Sequence, residues 1–379
     1  MNLFDVYPLF SIEPVRAQGS YLWDKDGNQY LDFYGGHAVI SIGHTHPYYV
    51  NKITEQLNKI SFYSNSVQIP LQKELADKLG RLSGYTDYAL FLCNSGAEAN
   101  ENALKLASFH TGRKKIISFS KGFHGRTSLA VAVTDGSSMQ APVNQTDNAI
   151  LLPFNDEAAL EAAMNDEVAA IIIEGMQGVG GVKIPTASFL NKIRSLCDKF
   201  GAVLILDEVQ SGYGRSGKFF AHQHFNIKAD LITTAKGMGN GFPIAGVLIN
   251  PLFKASHGLL GTTFGGNHLA CAAGVAVLDV IEQENLVKNA TEMGDYLISR
   301  LKDLPGVREV RALGLMIGLE LEIPCAEIRS ALLKEHAIFT GSSSDKNTIR
   351  LLPALNIGKE EADLFLNAFN EVLSKTLVK

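Results

Sequence analysis

The chain has 379 residues, 46% hydrophobic and 19% charged, which is enough apolar material for a sizeable core across about two or three domains. With 34 basic and 39 acidic residues the formal net charge is -5, and no block of like charge stands out; capture of nucleic acid is disfavoured. The four cysteines form no C-x-x-C pair, the N-terminus "MNLFDVYPLF" lacks a secretory pattern, and no uncharged apolar run is long enough for a bilayer, so no zinc site, no membrane segment and a cytoplasmic location are expected.

The first readable unit is "YLWDKDGNQYLDF" (Tyr21–Phe33), two apolar runs around Asp26-Gly27 that read as a hairpin. From about residue 48 short apolar runs alternate with helical stretches. "ALFLCN" (Ala89–Asn94) is followed by a helix, then by "KKIISFS" (Lys114–Ser120). "AAIIIEG" (Ala169–Gly175), the helical "SFLNKIRSLCDKF" (Ser188–Phe200), "AVLILD" (Ala202–Asp207), "DLITTAKG" and "AGVLIN" come next. This alternation predicts an α/β fold with a mainly parallel sheet covered by helices. Near Asn267 the pattern turns into one long helical run with a period near 3.6, then into strand-like sequence around Gly314, the polar loop Thr340–Asn347 and a final helix. Three parts are expected: an N-terminal segment, 1–47, packing with the small domain; a large domain, 48–270; and a smaller α+β domain, 271–379.

In an open parallel sheet, ligands bind beyond the carboxyl ends of the strands. After Ala89–Asn94 stand Ser95, Gly96 and Ala97, which open a helix whose free N–H groups suit a phosphate. After Lys114–Ser120 come Phe123, His124 and Arg126. After Ala169–Ile173 come Glu174 and Gln177. After Ala202–Leu206 come Asp207 and Gln210, and after Leu231–Ala235 comes Lys236. A phosphate nest, an aromatic ring, a carboxylate and a lysine together suit pyridoxal phosphate. That cofactor needs a lysine for a Schiff base, a carboxylate to keep its ring nitrogen protonated, and a phosphate cradle. Lys236 would need a lowered pKa for its amine to attack.

"AVLILDEVQSGYGRSGKFF" (Ala202–Phe220) offers a competing reading as a nucleotide hydrolase, with an acidic strand and a G-x-x-x-x-G-K run. That reading is disfavoured. A phosphate loop ends in Lys then Ser or Thr and opens a helix, whereas Phe219 follows Lys218, and one strand cannot supply both parts. "GHTHP" invites a metal, but no third or fourth ligand is evident beside His44 and His46, so local hydrogen bonding is expected. His124 reads as a residue that orients a neighbour, and Glu208 as a structural residue on the opposite face of its strand from Asp207.

The chain resembles the class III, ω-amino-acid aminotransferases, specifically the N-acylornithine aminotransferases, over almost its whole length. The resemblance rests on "GHTHP" (43–47), "NSGAEANENALKLA" (94–107), "GFHGRT" (122–127), "LILDEVQSGYGRSGKFFA" (204–221), "TTAKGMGNGFPIA" (233–245), "GTTFGGNHLACAA" (261–273) and "RLLPAL" (350–355). It implies fold-type I, with a seven-stranded mainly parallel sheet, and a homodimer with shared active sites. It implies transfer of the δ-amino group of N-acetyl- or N-succinylornithine to α-ketoglutarate in arginine biosynthesis. Ornithine δ-aminotransferase or another ω-amino-acid aminotransferase is the alternative within the family. A non-catalytic protein on the same fold is disfavoured by the presence of both Lys236 and Asp207.

By the same resemblance Lys236 is the Schiff-base lysine and Asp207 the partner of the ring nitrogen. Gln210 reaches the ring hydroxyl and Phe123 stacks on the ring. Ser95, Gly96 and Ala97 hold the phosphate, joined by Thr263 from the neighbouring subunit. Thr262 and Glu174 sit at the substrate, Arg126 takes its distal carboxylate, and Arg350 takes the α-carboxylate of glutamate or α-ketoglutarate. One departure stands out. Relatives read E-P-x-Q-G-E-x-G where this chain has "EGMQGVGG" (174–181), so Val179 replaces a glutamate that masks the arginine matching Arg350. The change is expected to accompany a substrate with an extra carboxylate, N-succinylornithine.

Overall fold

The computed structural model describes residues 1–378. Its centre is a seven-stranded sheet in the order Ala89–Cys93, Ala245–Ile249, Leu231–Thr234, Val203–Asp207, Val168–Glu174, Lys115–Phe119, Ala149–Leu152. Only Ala245–Ile249 runs antiparallel to its neighbours. Every residue of Val168–Glu174 and Val203–Asp207 is buried, as uninterrupted Val/Ile/Leu runs covered on both faces must be.

Helices begin and end at strong local signals. The Ser95 hydroxyl accepts from the Glu98 amide at 3.2 Å and starts Gly96–Thr111, which stops at Gly112 with φ +69°. Thr186 caps Ala187–Phe200 in the same way. The long helical run expected after Asn267 is two helices, His268–Gln283 and Leu286–Leu301. Asn285, at φ +53°, makes the break; a short polar side chain tolerates the left-handed region that most residues avoid.

Two smaller sheets complete the fold. Val307–Leu313, Met316–Leu321 and Thr348–Leu351 form an antiparallel sheet that opposes Arg350 to Gly318. The hairpin Tyr21–Asp24/Gln29–Asp32 closes where Asp24 Oδ1 accepts from the amides of Asp26 and Asn28. Its outer edge pairs with Pro14–Gln18, and its inner edge pairs in parallel with Ile338–Phe339 from far down the chain.

Two features lie between these sheets and the site. Residues Gly35, Gly36, His37 and Ala38 all have positive φ, at 55°, 53°, 68° and 64°. For the two non-glycine residues this left-handed geometry costs about 1–2 kcal/mol each. Arg215, from the loop after Val203–Asp207, is buried. It donates to the carbonyls of Ile40 (3.2 Å), Leu315 (3.3 Å) and Pro353. Burial pulls its guanidinium down to about 10.

Candidate active site

The carboxyl ends of the large-sheet strands open on a cavity of about 370 Å³. Among its lining residues are Ser95, Gly96, Ala97, Phe123, Arg126, Glu174, Val179, Asp207, Gln210 and Lys236. Strand order explains the gathering. Glu174 and Asp207 end adjacent parallel strands and sit in register, and Lys236 follows the next strand over.

Asp207 is the most firmly held of these groups. Its Oδ2 accepts from Asn100 Nδ2 and His124 Nδ1, each at 2.8 Å, and its Oδ1 from the Val209 amide at 3.0 Å. Asn100 is itself fixed by Thr233 Oγ1, which donates to its side-chain oxygen at 2.7 Å. The carboxylate is 3% exposed, so three donors compensate a charge that would otherwise be costly to bury. Asn100 was not singled out from the sequence. The available signal is an asparagine inside a helix, an unfavourable place for a side chain that competes for backbone hydrogen bonds.

The Lys236 amine is enclosed by protein while its side chain still reaches the cavity. Burial lowers its pKa, against the pull of Asp207 and Glu174, and Arg350 lowers it further. The backbone there has φ +41°, in the single turn Lys236–Met238. The amides of Gly96 and Ala97 precede the first intrahelical hydrogen bond of their helix and face the same cavity. A side chain at Gly96 would strike Val209, so the helix start lies hard against the loop after Asp207. An anion cradle, a carboxylate held by neutral and imidazole donors, and an amine of lowered pKa are the donor set that pyridoxal phosphate requires. The residues fit that cofactor.

Glu174 accepts from the amides of Phe123 (3.0 Å) and Gly178 (2.9 Å). Burial, reinforced by Asp207 and opposed by His124 and those amides, pushes its carboxyl up to about 7. The folded protein therefore keeps a proton that the unfolded chain releases near 4.5. This contribution to stability is full below about 4.5 and is lost as pH rises through about 7. Urea unfolding from about pH 5 to about pH 8 is expected to show a fall of up to about 3 kcal/mol from this group. Glu174→Gln is expected to flatten that slope; an unchanged slope in the variant would refute the assignment.

The arginines differ in setting. Arg126 is exposed at the cavity mouth. Arg350 is 4% exposed and lies behind Gln210. It donates to Ser342 O at 2.6 Å, Gln210 Oε1 at 3.1 Å and Tyr34 Oη at 3.2 Å, and among the described residues no carboxylate is in ion-pair contact with it. Gln210 is thus turned toward Arg350, its amide also reaching the His37 carbonyl at 3.4 Å. Thr262 and Thr263 do not line the cavity of their own chain. Thr262 Oγ1 accepts from Asn94 Nδ2 and the Gly265 amide, and Thr263 is exposed. Glu208 faces away from Asp207 and accepts from Ser211 Oγ, His222 Nδ1 and the amides of Ala221 and His222. His44 and His46 pair with different carboxylates, Asp32 and Glu284.

Comparison with known proteins agrees with this geometry. The family described as aminotransferase class-III matches residues 5–373. An acetylornithine aminotransferase of Nitrosomonas europaea is 40% identical over 378 residues, covering 96% of this chain and 95% of the relative. The crystal structure of an ornithine aminotransferase from Toxoplasma gondii superposes with a TM-score of 0.92 at 27% identity, covering 98% of this chain and 93% of that one. An amine transaminase from an uncultivated Pseudomonas species, solved in its PLP-bound form, gives 0.88 at 28% identity over 97% and 95% of the two chains. With a family match across nearly its whole length and a cavity equipped for pyridoxal phosphate, the chain belongs to the class III aminotransferases and is a PLP-dependent enzyme of fold-type I.

Proposed function

We propose that the enzyme moves the δ-amino group of an N-acylornithine to α-ketoglutarate, giving N-acylglutamate semialdehyde and glutamate, as a step of arginine biosynthesis. The observation that carries this reading is the pair of guanidiniums, Arg126 exposed on the cavity and Arg350 buried behind the cavity residue Gln210, beside a wall that carries the Lys236 amine. A substrate with one carboxylate remote from its reacting amine uses Arg126. A dicarboxylate uses both arginines, each by charge-assisted and preferably bidentate hydrogen bonds. The name of the Nitrosomonas europaea relative supports the acetyl form.

Pyridoxal phosphate, when bound, supplies the electron sink for the pair left behind as a C–H proton beside the amine departs. The chain's own residues do the rest. Lys236 Nζ, its pKa lowered by burial, takes up and returns that proton. Asp207 holds a proton on the ring nitrogen, steadied by His124 and Asn100. The amides of Gly96 and Ala97, with Ser95, receive the phosphate, and Phe123 covers the ring. Gln210, beside Arg350, serves the ring hydroxyl, and Glu174 borders the substrate together with Thr262 from a second copy.

The working unit is a homodimer in which the loop carrying Thr263 completes the phosphate site of a second copy. Support comes from the apolar side chains exposed beside that loop, Phe62, Tyr63 and Phe264, with the Phe62 and Phe264 rings 5.4 Å apart. Residues 1–47 and 271–379 form a smaller unit beside the large domain of 48–270. The enzyme works in the cytoplasm, where its four buried thiols stay reduced.

The test is turnover of N-acetylornithine, N-succinylornithine and free ornithine, each with α-ketoglutarate. Free ornithine brings an α-ammonium to the arginine that takes its carboxylate, an opposition of about 1–4 kcal/mol at ~4 Å. Both acylated substrates are expected to exceed ornithine in kcat/KM by about tenfold or more; ornithine as the best donor would overturn the reading. The lack of a carboxylate at Val179 favours a second form of it, in which the acyl group is succinyl. A strong preference for the acetyl substrate would remove that form.

A further inference from the structure

Arg350 is a buried cation with three neutral ligands. The Ser342 carbonyl is fixed by the backbone, and Gln210 faces the cavity. The third ligand, the Tyr34 phenol, comes from a segment 316 residues away in the sequence. Its oxygen accepts from Arg350 Nη2 at 3.2 Å and shares a hydrogen bond with His37 Nδ1 at 2.5 Å, while the guanidinium carbon lies 5.7 Å from the centre of the phenol ring. His37 stands edge-on to that ring, 4.8 Å between centroids. It reaches this place only because the chain from Gly35 to Ala38 is left-handed throughout, a strained path for His37 and Ala38. Glu174 influences Arg350 only at a distance; its two oxygens accept from the amides of Phe123 and Gly178. Val179, which also lines the cavity, brings no charge.

An unpaired buried guanidinium is a strong anion receptor, because a carboxylate that reaches it finds an electrostatic partner already stripped of water. A neutral phenol holds that position weakly and can be displaced; an ion pair would hold it far more firmly. We propose that Tyr34, aimed by His37, is the displaceable cover of Arg350 and sets how readily the enzyme accepts a carboxylate next to the reacting amine. The cover stays in place over a substrate such as N-acylornithine, whose carboxylate is remote from the δ-amine. It yields to the α-carboxylate of α-ketoglutarate or glutamate. Tyr34 and His37 are positioning residues in this scheme, and the scheme rests on the two-substrate reading above.

Removing the phenol hydroxyl uncovers the guanidinium at the cost of one hydrogen bond to a neutral acceptor. Tyr34→Phe is therefore expected to lower KM for α-ketoglutarate about five- to tenfold relative to KM for N-acetylornithine, the effect of a single such bond. His37→Ala is expected to move the ratio in the same direction. His37→Asn, which keeps an acceptor and tolerates the left-handed backbone, is expected to restore it. A second measurement needs no turnover: calorimetric binding of glutarate, a non-reacting dicarboxylate, to the PLP-loaded protein. Tyr34→Phe is expected to tighten it by the same factor, and Arg350→Ala to abolish it. If KM for α-ketoglutarate rises in Tyr34→Phe, or both substrates shift equally, or glutarate binds the variant no more tightly, Tyr34 is not a cover. If N-acetylornithine is not a substrate at all, the functional reading fails while the glutarate measurement still decides the role of Tyr34.

Discussion

Replacing Lys236 with alanine is expected to lower turnover by about 10²–10⁴-fold, the range for a positioned acid–base group, while the purified apoprotein becomes more stable. Both effects have one cause. The amine is kept away from water, so its pKa is lowered and it gives up its proton more readily than an exposed lysine. The unfolded chain holds a proton on this lysine up to about its ordinary 10.5, and the folded protein releases it earlier. Folding therefore carries an unfavourable term at neutral pH that fades as pH rises toward 10.5. Alanine removes that term. Steady-state rates, a thermal melt of the apoprotein, and partial recovery of the rate by added ethylamine test the prediction together. A variant that keeps more than about a tenth of the wild-type rate would exclude Lys236 as the proton carrier.

Asp207→Asn is expected to reduce kcat by about 10²–10³-fold, the loss typical when one preorganised electrostatic group is removed from a reaction centre. The substitution changes the charge and also the hydrogen bonding. Asp207 accepts three bonds, from Asn100, His124 and the Val209 amide. An asparagine cannot accept all three, because its amide nitrogen would face a donor. His124→Ala leaves the carboxylate in place with two donors and is expected to cost only about tenfold, as loss of a positioning contact. Single-turnover rates on N-acetylornithine separate the two variants from any change in product release. Equal losses in both would mean that the imidazole, and not the carboxylate, is the essential group.

Much of the large sheet was legible because its strands are short, apolar and separated by amphipathic helices, a pattern with few other solutions. Asp207, Lys236, Glu174 and Ser95–Ala97 are readable from the sequence as residues at strand ends, since strand ends of such a sheet share one edge. What could not be read is whatever depends on segments distant in sequence. Asn100 reaches Asp207 across 107 positions and Arg350 reaches Gln210 across 140, and neither separation has a local signature. The break at Asn285 was hidden for another reason: the apolar period continues on both sides of it, so periodicity alone reports one helix. The neutral surroundings of Arg350 were half visible. Val179 announced a missing charge, but nothing in "FYGGHAV" announced that a left-handed turn would bring Tyr34 and His37 to the vacant place.

Arg215 has a consequence for how the chain assembles. Its three carbonyl partners lie 175, 100 and 138 residues away, at Ile40, Leu315 and Pro353. During synthesis none of these bridges can close until Arg215 has emerged, and the last must wait for Pro353. Until then a guanidinium destined for the interior lacks one of its three carbonyl acceptors, and the loop after Asp207 lacks one of its anchors. Contacts of such long range slow folding because chain entropy must be lost before they return any stabilisation. A nascent chain stalled before Pro353 is therefore expected to present cofactor-binding residues that do not yet form a site.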